Sequence, residues 1–170
     1  FRGKSGKFHR IGLEDPRLAR IVERCQDLPG YELFQYLDDD GQARDVTSDG
    51  VNDYLREIAG EEFTAKDFRT WAGTVCAAKF LRGQAGDGEK ESAKSVLVKA
   101  CDAVAAALGN TRAVCRKHYI HPAVFEAYLD GTLTAFFESD RPGAPARGLK
   151  SEEKAVVRLL KKRARQKAGP

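Results

Sequence analysis

The 170-residue chain has no methionine, one tryptophan and six prolines, and its apolar residues never gather into a long run. A membrane span needs roughly 20 consecutive apolar residues, and no stretch approaches that length. The basic N-terminal stretch lacks the apolar core and small-residue cleavage site of a secretory signal. Gly and Pro account for only 16 and 6 positions, too few for collagen-like repetition or a low-complexity chain. With 42% hydrophobic and 32% charged residues, the composition suits a soluble globular body of one domain or one large lobe. A chain that opens at Phe1 and contains no methionine is expected to be a piece of a longer product.

Metal-ligand spacing is also missing. Cys25, Cys76, Cys101 and Cys115 form no CxxC pair and no Cys/His cluster, which argues against structural zinc. Cys76 and Cys101 fall in segments that read as helices with apolar neighbours, so reduced, buried thiols are expected.

Net charge is only +4, but it is unevenly spread. Residues 1–10 hold Arg2, Lys4, Lys7 and Arg10 with no acid, and residues 141–170 hold ten Lys/Arg against two Glu. The span between them is therefore net acidic. A polyanion would be met by the two ends and by selected residues of the middle.

Periodicity predicts a mainly helical chain. Gly3 and Gly6 bracket Lys4 and Ser5, and with Phe1 and Phe8 they read as a short β-hairpin carrying a lysine at its tip. Leu18, Ile21, Val22 and Cys25 follow Asp15-Pro16 at helical intervals, and residues 31–37 read as a strand entering an acidic turn. Ser48 or Asp49 is placed to cap a helix that Gly60 stops. Thr64 begins another that runs to Gly83, with Asp67 positioned for a capping box. A linker separates it from a third helix over 89–108, halted by Gly109. Short helices are expected over 111–117 and after His121-Pro122. Residues 1–140 read as one catalytic domain, 141–150 as a hinge and 151–170 as a basic helix or tail.

Two stretches carry the chemistry. Residues 64–74 read TAKDFRTWAGT, and residues 108–122 read LGNTRAVCRKHYIHP. An arginine on one helix, a Gly-polar-Thr step about forty residues later, and a tyrosine nine residues after the polar residue resemble the catalytic core of type IB DNA topoisomerases. The likeness is to the compact form of poxviruses and bacteria. FRGKSGKFHR (1–10), CQDLPGYELFQYLDDDG (25–41) and TSDGVNDYLREIAGEEFTAKDFRTW (47–71) extend it, so it covers residues 1 to about 130.

The resemblance implies a helical domain of the topoisomerase IB and tyrosine recombinase type. It implies Tyr119 as a nucleophile that forms a transient 3′-phosphotyrosyl link and releases a 5′-hydroxyl. Rotation and resealing then relax supercoils without ATP, metal or other cofactor. It further implies Arg69 as a ligand of the non-bridging phosphate oxygens and Lys4 as the acid that protonates the leaving oxygen. Asn110 stands where the poxvirus enzyme has histidine. The implied partner is double-stranded DNA, met by a monomer in the cytoplasm, on the nucleoid if the source is bacterial.

The physical logic runs alongside. A phenol with a pKa of about 10 is a feeble nucleophile at neutral pH, and a phosphodiester repels it, so donors must gather where charge grows. Arginine offers a fixed bidentate fork for that task. A neutral carboxamide donates a hydrogen bond much as a neutral imidazole does. If residues 111–118 are helical, Asn110 and Tyr119 stand about 12–14 Å apart along the axis and flank a phosphate rather than touch. Lys66 lies one helical turn before Arg69, and Arg112, Arg116 and Lys117 surround Tyr119. All four are candidate backbone contacts. His118 and His121 lie too near Tyr119 to take the Asn110 role and read as surface or packing residues.

Two departures weigh on activity. Family members carry another catalytic arginine upstream of the hairpin lysine, in a segment that would precede Phe1, so this piece alone is expected to be weak or silent. Tyrosine recombinases share the Arg, polar and Tyr order, but usually show a histidine three residues before the later arginine and a Gly-His step before the tyrosine. Lys66 and Gly109-Asn110 favour relaxation over strand exchange.

Overall fold

The computed structural model describes residues 8, 10, 12, 14–60, 62–84, 92–138 and 148–168. The lysine-tipped hairpin expected over 1–12, with Lys4, therefore lies outside the described residues apart from isolated positions. Contacts divide the chain into two units, Phe1–Ala65 and Lys66–Pro170. Eight helices and one two-stranded sheet are present among the described residues, and no helix is long and apolar enough to cross a membrane.

In the first unit, α1 (Pro16–Gln26) begins where Asp15 accepts from the N–H groups of Arg17 and Leu18 at 2.8 and 3.3 Å. Pro16 occupies the first turn, where its missing N–H is not needed. Strands β1 (Gln35–Leu37) and β2 (Ala43–Asp45) pair antiparallel, with Tyr36 opposite Arg44. The strand expected over 31–37 is thus confined to its last three residues. Asp38 fastens the turn by accepting from Gln42 N–H at 2.8 Å, Asp40 N–H at 3.1 Å and Arg44 Nε at 2.8 Å. The Arg44 bond, then the backbone donors, hold its carboxyl below the usual aspartate range. Helix α2 (Ser48–Ala59) is capped by Thr47, not by Ser48 or Asp49 as the sequence suggested. Thr47 has the extended backbone of a cap and accepts from Gly50 N–H at 3.1 Å, whereas its two neighbours are already helical. Gly60 ends the helix at φ 65°, a left-handed conformation in which glycine has no Cβ penalty.

The second unit holds α3 from Lys66 onward (the helix spans Ala65–Gly83), α4 (Ala93–Leu108), α5 (Arg112–His118), α6 (Pro122–Leu129), α7 (Leu133–Glu138) and α8 (Ser151–Ala168). Its core joins Ala77, Ala78 and Leu81 of α3 to Val96, Ala100 and Val104 of α4, with Cys115, Val124, Leu133 and Leu159 from the later helices. Burying a side chain of this size stabilises by roughly 1.5–3 kcal/mol.

Two sequence expectations change here. The six-residue α7 was not anticipated, because one and a half turns show no readable periodicity. By sequence, residues 151–170 read as a basic helix or tail beyond a hinge. Instead Ala155, Val156 and Leu159 of α8 are buried in the same core as α3 and α4, and α8 packs on α6 and α7. Residues 141–147 of the expected hinge lie outside the described residues.

Candidate active site

Helix α3 presents Arg69, Thr70, Gly73 and Thr74 along one side, since steps of one, four and five residues share a helix face. Each of the four engages the chain at 108–121. Arg69 Nη2 donates to the Leu108 carbonyl at 2.8 Å. That carbonyl is free because Leu108 is the last residue of α4, where no further turn supplies a donor. Gly109 turns the chain there at φ 63°, and the Asn110 N–H closes back on the Ala105 carbonyl at 3.0 Å. Asn110 Nδ2 reaches the same Leu108 oxygen at 3.4 Å. One carbonyl thus gathers the guanidinium and the carboxamide, two groups 41 positions apart in sequence.

Thr111 caps α5 by accepting from Val114 N–H at 3.3 Å. Seven helical residues later the Tyr119 N–H donates to the Cys115 carbonyl at 2.9 Å, which fixes Tyr119 as the residue that ends the helix. Its ring lies under Arg69, with the guanidinium carbon 5.1 Å from the ring centroid. Both side chains are half-buried, so they are held in place without being sealed from a ligand. The separation expected between Asn110 and Tyr119 is bridged by the arginine, which meets the Leu108 carbonyl beside one and the ring of the other.

Sequence reasoning passed over the residues that clamp this segment. Thr70 Oγ1 approaches the His118 carbonyl at 3.4 Å, and Thr74 Oγ1 accepts from His121 N–H at 3.1 Å while donating to Thr70 O at 2.7 Å. Thr74 is the buried polar side chain among the described residues of this unit. Gly73 lies against the Tyr119 backbone, so that a Cβ there would collide with the Tyr119 carbonyl oxygen. The signal available was the spacing Thr70, Gly73, Thr74, small side chains on one helix face that let another backbone approach closely.

The remaining candidates divide. Lys66 is exposed one turn before Arg69, and Arg116 and Lys117 are exposed on α5, Arg116 with its guanidinium 5.9 Å from the Phe125 ring. Arg112 instead forms a fork on Asp102, at 2.6 and 2.9 Å, and those bonds raise its already high pKa. His121 caps α6, its Nδ1 accepting from Ala123 N–H at 3.1 Å, and His118 is exposed. Burial pushes the Cys115 thiol up, with the charge of Arg69 pulling the other way. No disulfide joins the four cysteines. Among the described residues no three His, Cys, Asp or Glu side chains gather as a metal site.

Comparison with known proteins identifies the group. The family model described as eukaryotic DNA topoisomerase I, catalytic core, matches residues 1–136. The chain belongs to this family. The DNA topoisomerase 1B of Acanthamoeba polyphaga mimivirus is 29% identical over 135 residues, which is 75% of this chain and 40% of that protein. The chain therefore spans less than half the length of this topoisomerase I relative. The matched span contains Arg69, Asn110 and Tyr119 and ends before α8.

Proposed function

We propose that this chain forms the tyrosine-bearing part of a type IB topoisomerase, cutting and resealing one strand of duplex DNA. The Tyr119 hydroxyl attacks a backbone phosphorus. The bond from its Oη to phosphorus forms, the bond from phosphorus to the 5′-oxygen breaks, and the phenolic proton passes to solvent. The departing 5′-oxygen takes up a proton, the role that the resemblance gives to Lys4. The free end rotates, and attack by the 5′-hydroxyl on the phosphotyrosine restores the strand and frees the phenol. Nothing is oxidised or reduced, and no cofactor enters this reading.

The observation that carries it is the meeting of Arg69 with the Tyr119 ring and with the carbonyl shared by Asn110. A phosphate oxygen competes well with a neutral carbonyl for a guanidinium, because a charge-assisted hydrogen bond is roughly twice as strong. A phosphodiester arriving beside Tyr119 would thus draw Arg69 and Asn110 onto its non-bridging oxygens. Lys66, Arg116 and Lys117 would hold neighbouring phosphates. Arg112 would do so only by giving up Asp102. The reading also has the chain acting as a monomer, in whichever compartment holds the DNA.

Incubation with a duplex nicked just beyond the scissile phosphate, followed by denaturing electrophoresis, tests the reading. With any segment preceding Phe1 restored, wild-type protein should become covalently attached to the 3′ end of the cut strand, and Tyr119→Phe should not. An adduct that persists in Tyr119→Phe would overturn the assignment of the nucleophile. Duplex binding without any wild-type adduct would reduce the chain to a silent binding module.

A further inference from the structure

The turn that carries Asn110 is pinned at both ends, by different means. At its start the Ala105 carbonyl accepts from the N–H groups of Gly109 and Asn110, the latter at 3.0 Å. At its end Arg112, the first residue of α5, reaches back to Asp102 of α4 and donates from Nε and Nη2 to the two carboxylate oxygens, at 2.6 and 2.9 Å. A two-point fork between planar groups fixes direction as well as distance, which a single ion contact does not. The pair thus closes a ring that runs along α4 from Asp102 to Leu108, through Gly109, Asn110 and Thr111, and back from Arg112 to Asp102. Both side chains are about half exposed, 55% for Arg112 and 46% for Asp102. An ion pair so placed adds little to global stability, so what it supplies is geometry.

The use of that geometry follows from how α3 holds the two ends of α5. Thr70, Gly73 and Thr74 engage residues 118–121, at the far end. At the near end, about 10 Å away along the helix, Arg69 holds the Leu108 carbonyl. In the proposed reaction a phosphate draws Arg69 off that carbonyl, so the near end gives up this bond to α3 just when Asn110 must meet the same phosphate. The fork between Asp102 and Arg112 takes no part in that exchange and stays made. A reacting group displaced by about 1 Å can cost about 10²-fold in rate, so a loose turn at this moment is expensive.

We propose that Asp102 and Arg112 are positioning residues for strand cleavage, their fork holding Asn110 in reach of the phosphate while Arg69 transfers from the Leu108 carbonyl to it. The inference rests on the reading of Arg69, Asn110 and Tyr119 as the cleavage site. It gives Arg112 a task other than gripping DNA, and it brings in Asp102, a residue of α4 that touches neither the tyrosine nor the phosphate and acts through Asn110.

Single-turnover adduct formation on the nicked duplex, followed across DNA concentrations with any segment preceding Phe1 restored, supplies the test. Asp102→Asn removes the charge that the fork grips, and Arg112→Lys keeps the charge but loses the planar group. Each should lower the plateau rate about tenfold and leave the half-saturating DNA concentration within about twofold. In an Asn110→Ala background, where the carboxamide is already gone, Asp102→Asn should cost less than about twofold more. Losses that multiply in the double variant would mean that the pair supports the fold at large, and would overturn the inference. An Asp102→Asn protein that binds duplex more tightly and cleaves at the wild-type rate would overturn it too, making Arg112 a phosphate ligand that Asp102 keeps in check. If the wild type itself forms no adduct, the reading of the cleavage site fails first and takes this inference with it.

Discussion

Arg69 stacks its guanidinium 5.1 Å from the centre of the Tyr119 ring while donating to the carbonyl that ends α4. The same planar group thus registers the position of two different segments. A lysine offers a flexible point charge in its place and cannot both stack on a ring and hold a directed fork. Arg69→Lys is expected to leave the fold intact and lower the single-turnover rate of adduct formation about 10²–10³-fold. Duplex affinity should change far less than that rate. A variant within tenfold of wild type would show that Arg69 is not on the reacting phosphate.

Gly73 gives a second prediction whose sign is informative. Alanine is the better helix former by about 1 kcal/mol, so Gly→Ala within a helix ordinarily stabilises. Here the new methyl meets the Tyr119 carbonyl, which is backbone and cannot swing aside, and the Leu108 side chain crowds it at 3.2 Å. Gly73→Ala should instead destabilise, by about 1–3 kcal/mol, and push Tyr119 out of register with Arg69. Denaturant melts measure the first effect and adduct formation the second. A Gly73→Ala protein as stable as wild type would mean that the two segments are not in contact in solution.

How far the sequence disclosed this arrangement depends on the kind of signal each residue emits. Arg69, Asn110 and Tyr119 stood out as candidates because their order and spacing resemble those of a known family, with Asn110 in the place of a histidine, and α4 was legible because its apolar stripe and Gly109 stop are strong local patterns. Thr70, Gly73 and Thr74 were not, since their work is to hold a backbone 45 or more residues away, and no local pattern encodes a distant carbonyl. Charge misled in two places. Arg112 reads like its exposed neighbours until Asp102, ten residues back on α4, is found to occupy it. The lysines and arginines of α8 outweighed its apolar side, so that nothing in the sequence showed Ala155, Val156 and Leu159 carrying it into the core.

Thr74 offers a third measurement. Its hydroxyl receives the His121 N–H and donates to Thr70 O, so it pairs a backbone donor of the loop following Tyr119. Thr74→Val keeps the shape and removes the acceptor, leaving that N–H without its protein partner at a cost of about 1–3 kcal/mol. Thr74→Ser retains the oxygen and should lose less. Hydrogen exchange at His121 N–H should quicken in the valine variant and remain slow in the serine one. Equal exchange in both would remove Thr74 from the clamp.

Acid should loosen the joint between α3 and α8. Glu153 uses both carboxylate oxygens, one accepting from Trp71 Nε1 at 3.0 Å and the other from Lys150 N–H at 2.7 Å. The indole donor first, then the backbone donor, hold its carboxyl below the usual glutamate value of 4.5. A carboxyl lowered in the folded state binds fewer protons there than in the unfolded chain, so its contribution is complete above that ordinary value and drains away as pH falls through the lowered one. The same direction applies to Asp38 and Asp130, so wild type as a whole should weaken in acid, and the share of Glu153 must be isolated by difference. Thermal melts of wild type and Glu153→Gln from pH 7 to pH 3 supply that difference. Wild type should melt higher at pH 7, with the gap closing below about pH 4.5 as the carboxyl takes up its proton. A gap constant across the range would mean that the glutamine variant differs through packing alone, and that the charge of Glu153 contributes nothing to holding the start of α8 against the helix that carries Arg69.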